Sequence, residues 1–133
     1  MPELTAIEIA VVEQLADTFP HLVAIYLHGS AAKGRLHATS DIDIALLFSG
    51  KDIPERIELF LLAPVLEQRV GRKVDLSILS TSNTVFAKEV LVNGKLLYCT
   101  NTMLHDQFAM YVFSFYGKLN DERAEILRAY QAQ

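Results

Sequence analysis

The sequence predicts an α/β (α+β) domain built on a small mixed β-sheet, with helices mainly on one face. Three observations lead there. Short apolar runs alternate with longer amphipathic ones in the order helix, strand, turn, strand, helix, strand, helix, strand, helix. The run Leu22 to Leu27 is apolar enough to be a central strand. The 133 residues contain no internal repeat, low-complexity tract or linker, so residues 1–133 are expected to form one domain with a proper core.

Each element has a local cause. Thr5 to Asp17 places Ile7, Val11, Leu15 and Ala16 at helical spacing, with Glu8 and Glu13 off that face. Phe19-Pro20 ends this helix, and the first strand, Leu22 to His28, follows. A second strand, Ile42 to Phe48, stops at Ser49-Gly50. Asp52 is the expected cap of the next helix, with Glu55 as capping-box partner and Pro54 in the first turn. That helix runs to about Val70, kinked or restarted at Pro64, and Gly71 closes it. Lys73 to Leu79 is the third strand. Thr81-Ser82 offers caps for a helix through Val92, and Asn93-Gly94 turns the chain into a short edge strand, Lys95 to Tyr98. Thr102 to Gln133 is one long helix or two pieces broken near Gly117. In it Phe108, Tyr111, Val112 and Phe115 form an expected core face, and Phe113 and Tyr116 lie partly off it.

Composition narrows the function. A formal net charge of −4 argues against a general nucleic-acid binder, which needs clustered Lys and Arg. The longest apolar run, Leu59 to Leu66, falls far short of a membrane span, and no export signal follows Met1. The single cysteine, Cys99, makes no internal disulfide and suits a reducing cytoplasm. A hydrophobic content of 51% is high for a free monomer and leaves apolar surface for a partner.

The chemistry concentrates between Leu27 and Asp43. Asp41 and Asp43 flank Ile42 at a strand start, so both carboxylates point one way while Ile42, Ile44 and Leu46 point the other. Carboxylates about 7 Å apart on one strand face repel unless a cation sits between them. Magnesium fits, since it takes one or two carboxylates and fills its other positions with water and phosphate oxygens. Ahead of them, Gly29 lets backbone approach a ligand, and Ser30 caps a short turn, Ala31 to Lys33, closed by Gly34. Free N–H groups at such a turn suit polyphosphate.

Gly29-Ser30, ten intervening residues and Asp41-x-Asp43 resemble the signature of the DNA polymerase β-like nucleotidyltransferase superfamily. The small size and the Gly29 to Gly34 pattern resemble its minimal nucleotidyltransferase (MNT) subfamily, whose members include antitoxins paired with HEPN-domain toxins of the MntA/HepT type. The resemblance calls for a third carboxylate on a later strand, and Asp75, between Val74 and Leu76, supplies it. It implies the polymerase β-like fold, Asp41, Asp43 and Asp75 as catalytic metal ligands, two Mg2+ ions, and ATP as donor gripped by Gly29 and Ser30. Lys33 sits where the subfamily often carries a basic residue. Arg35, His37 and His28 lean towards surface or packing roles.

The activity implied is transfer of AMP from ATP to a hydroxyl, tyrosine by preference, on a HEPN-type ribonuclease toxin, which is thereby neutralised. Two rivals stand beside it. One is an antitoxin acting by occlusion alone, which has no need of three carboxylates. The other is nucleotidylation of a small molecule, whose enzymes usually carry a further helical domain.

Overall fold

The computed structural model describes residues 4–29, 32, 41–50 and 52–131. Its eight elements are α1 (Ala6–Thr18), β1 (Leu22–His28), β2 (Ile42–Phe48), α2 (Arg56–Val70), β3 (Val74–Ile78), α3 (Thr84–Asn93), β4 (Lys95–Cys99) and α4 (Thr102–Gln131). The strands form one sheet in the order β3-β2-β1-β4. β1 runs antiparallel to both β2 and β4, whereas β2 and β3 are parallel. A parallel pair needs a crossover, and α2 is that connection.

The mixed sheet is as expected, but its cover differs: two helices lie on each face rather than most on one. β1 is buried at every position from Leu22 to Leu27, so both of its faces need a layer. Val11 and Leu15 of α1, with Leu59, Leu62 and Leu66 of α2, pack on Ile25, Leu27, Ile42, Ile44 and Leu46. On the other side Ala87 and Val90 of α3, with Val112 of α4, pack on Ala24, Tyr26, Ala45 and Leu47. Burying each of these larger side chains stabilises the fold by about 1.5–3 kcal/mol.

Helix ends follow the sequence with corrections. Thr5, read as the first residue of the helix, is instead the N-cap of α1, in a complete capping box with Glu8. Glu8 is buried rather than solvated, because Lys95 of β4 reaches both its carboxylate oxygens at 3.0 Å. α2 starts later than expected: Glu55 is its N-cap without a side-chain bond, leaving Asp52 and Pro54 ahead of the helix. Pro64 lies inside α2 without ending it, since Leu62 and Leu66 on either side anchor in one core. Asn83, not Thr81 or Ser82, caps α3, its side chain accepting from the N–H of Phe86. α4 passes through Gly117 unbroken.

At its start α4 is held by His105, whose Nε2 lies 2.6 Å from the buried Tyr26 hydroxyl. Beyond that, only Val112 is fully buried, while Phe108, Ala109, Tyr116 and Leu119 are partly so. Tyr111 and Phe115, expected in the core, stack on each other at the surface. Among the described residues no helix is long and apolar enough to cross a membrane.

Candidate active site

Three strands end together at one corner of the sheet. Pairing sets His28 of β1 opposite Asp43 of β2, and Asp43 opposite Asp75 of β3. Neighbouring strands are about 4.8 Å apart, so these side chains form a continuous row. Their face is the α3 and α4 side, because the alternating partners Ile42, Ile44 and Val74 enter the opposite core. Asp41 precedes β2 on the same side as Asp43 and is exposed, as is Asp75. The structure therefore brings together Asp41, Asp43 and Asp75, the three carboxylates singled out in the sequence. Ser30 and Lys33, with Arg35 and His37, lie outside the described residues.

Electrostatics record the crowding. Burial pushes the Asp43 carboxyl above its ordinary range; His28 pulls it back, and the like charges of Asp75 and Asp41 push it up again. His28 moves the opposite way. Burial holds its imidazole below the usual value against the pull of Asp43 and Asp75. Its ring packs edge-on against Phe86 with centroids 5.4 Å apart, and its Nε2 is buried without a hydrogen-bond partner among the described residues. The sequence pointed to packing for His28. Its place beside Asp43 depends on strand register, for which a single strand carries no signal.

Gly29 is required here on two counts. Its φ of +71° lies in the left-handed region, and a Cβ would collide with Oδ2 of Asp43. The turn backbone thus lies directly against the central carboxylate.

The donor set suits a hard divalent cation. Asp41, Asp43 and Asp75 offer oxygen ligands whose mutual repulsion a cation relieves. Among the described residues no three of His, Cys, Asp and Glu close into a ready-made metal cage. Magnesium does not require one, because it is held by one or two carboxylates and takes substrate oxygens and water besides.

The family described as "Polymerase beta, Nucleotidyltransferase" matches residues 11–103. The chain belongs to the polymerase beta nucleotidyltransferase family. The matched span holds the four strands found among the described residues of this nucleotidyltransferase and stops at the start of α4. Protein adenylyltransferase MntA of Shewanella oneidensis is 36% identical over 118 residues, covering 88% of this chain and 82% of that protein. A crystal structure of a toxin-antitoxin with AMP-PNP matches with a TM-score of 0.77 at 35% identity, covering 93% of this chain and 98% of the other. A structure of tri-AMPylated Shewanella oneidensis HEPN toxin in complex with MNT antitoxin matches with a TM-score of 0.72 at 32% identity, covering 94% and 96%. These matches extend the likeness of this nucleotidyltransferase beyond the family core into α4.

Proposed function

We propose that this nucleotidyltransferase is an antitoxin that transfers AMP from ATP to tyrosine hydroxyls of a HEPN-type ribonuclease toxin and so silences it. The observation that carries the reading is the strand register that lines up Asp43 and Asp75 beside Gly29, in a chain 36% identical to a protein adenylyltransferase. Asp41, Asp43 and Asp75 would hold magnesium, two ions in the fullest form of the site. When bound, the metal supplies neutralisation of charge at the α-phosphate and acidifies the acceptor hydroxyl.

The chain's own groups do the rest. Asp75, the outermost of the row, orients the acceptor hydroxyl and takes its proton as the oxygen attacks the α-phosphorus. A bond forms from that oxygen to phosphorus, the α–β anhydride bond breaks, and pyrophosphate leaves. Ser30, Lys33 and the N–H groups after Gly29 hold the departing β and γ phosphates. His28, paired across the ladder with Asp43 and packed on Phe86, closes the flank of the carboxylate row. ATP supply and the lone free thiol of Cys99 both suit a cytoplasmic setting.

The test is co-expression with the product of the adjacent reading frame, followed by intact-mass measurement of that partner. Mass gains in AMP steps with the wild-type chain, absent with Asp41→Ala, are the expected result. A partner bound yet unmodified by the wild type would overturn the catalytic reading in favour of occlusion.

A further inference from the structure

β3 is an edge strand, and its hydrogen-bond phase can be read from the ends of the ladder. The N–H of Ile42 donates to Lys73 O and the N–H of Leu79 donates to Leu46 O, each at 2.8 Å. In a parallel pair, alternate residues of a strand bond to the same neighbour. Lys73, Asp75, Ser77 and Leu79 therefore bond inward to β2, and the N–H and C=O groups of Val74, Leu76 and Ile78 face away from the sheet. No other backbone among the described residues pairs with them.

Edges of this kind are normally guarded by lysine, proline or a bulge. The opposite edge strand, β4, is irregular in its ladder to β1 between Ile25 and Tyr26. The β2–β3 ladder has no such shift. A groove of about 770 Å³ straddles this open edge, with Asp75 in its wall and Phe60, Pro64, Asn83 and Phe86 along its sides. Its lining carries both charge signs, at Arg56, Lys73 and Glu67. The rim continues outward as exposed apolar surface at Ile57, Phe60 and Leu61, with Phe60 74% exposed.

We propose that this edge is the acceptor track: an extended segment of the protein to be modified adds to β3 as a further strand, carrying its hydroxyl side chain to Asp75. The inference rests on the transfer reading above and specifies how the acceptor is held. Alternating donors and acceptors spaced along an edge are matched by extended backbone. Side chains on the added strand alternate too. Those on the Asp75 side reach the carboxylate from a cross-strand position about 5 Å away, and those on the other side rest against Leu76 and Phe60. A small-molecule acceptor would leave both the edge and the apolar rim uncovered.

Leu76→Pro removes an outward N–H without breaking an inward bond, and Phe60→Glu puts a charge on the rim. Both variants are expected to bind AMP-PNP like the wild type while modifying the partner protein at least about tenfold more slowly. Residue-resolved hydrogen exchange on the complex, formed with Asp41→Ala to keep the acceptor unmodified, should show the Leu76 and Ile78 amides slowed relative to the free chain. Unchanged exchange there, or wild-type transfer by the folded variants, overturns the track. Should Leu76→Pro fail to fold, Phe60→Glu and the exchange measurement decide. A wild-type chain that modifies no partner at all sinks the transfer reading itself, an outcome distinct from transfer that ignores the edge.

Discussion

Asp43 is pulled by opposing demands: its strand buries it, its neighbours repel it, and the proposed chemistry needs it ionised. A carboxyl with a raised pKa costs the fold stability at neutral pH, and the cost disappears as pH falls below the ordinary carboxylate range, ~3.9. Asp43→Asn should therefore raise the urea midpoint near neutral pH, by an amount that shrinks in acid, while AMP transfer drops about a hundredfold or more. A variant both less stable and active would refute the role of this residue. Gly29 offers a sharper contrast, because Gly71 has nearly the same φ, +73°, with nothing within 4 Å of an added Cβ. Alanine at either position costs about 1–2 kcal/mol of backbone strain. Only Gly29→Ala also displaces Asp43, so it should lose transfer while Gly71→Ala keeps it; equal activity in the two would remove the close approach from the argument.

Elements in this chain are fixed by local signals where those signals stand alone, and by packing where they compete. Thr5 and Glu8 make a capping box that is visible in four residues, yet the partner that buries Glu8, Lys95, lies across the sheet on β4. Burial works to raise the Glu8 carboxyl, but the Thr5 backbone N–H and the Lys95 ammonium together hold it below its ordinary value. Such a group stabilises the fold above its unfolded-state pKa, ~4.3, and the contribution is lost as pH falls through the lower folded value. Glu8→Gln should then unfold at lower urea than the wild type at about pH 7, with the gap closing below about pH 4. A gap that stays constant down to acid would mean the charge at Glu8 contributes nothing to holding α1 on β4. Pro64 and Gly117 teach the converse. Each is a breaker by local rule, and each is carried through: Pro64 by core anchors on both sides, Gly117 by the good helix formers from Glu122 to Ala129 beyond it, against a glycine cost of only about 1 kcal/mol.

Across the whole molecule, strand alternation is a local property that puts Asp41 and Asp43 on one face by counting, whereas Asp75 came from the family resemblance, because setting it beside that pair depends on which strands are neighbours. The row containing His28 was not legible in the sequence, since it depends on which strands pair and in what register, including the irregularity between Leu22 and Ala24. The double cover of the sheet was half legible: Leu22 to Leu27 is apolar on both faces, but which helix goes to which side is set by the crossovers. The same balance of burial bears on α4. Its last anchor in the core is Val112, and every described residue from Asp121 onward is exposed, including Ile126, Leu127 and Tyr130. A helix end that buries nothing adds almost nothing to global stability, however regular its backbone, because most helical stability in proteins comes from packing. Ending the chain at Asn120 should consequently change the free energy of unfolding by less than about 0.5 kcal/mol, while the far-ultraviolet helix signal falls. A larger loss would show that this segment packs on the sheet domain in solution; an unchanged midpoint would show that its apolar residues serve something other than this chain's own core.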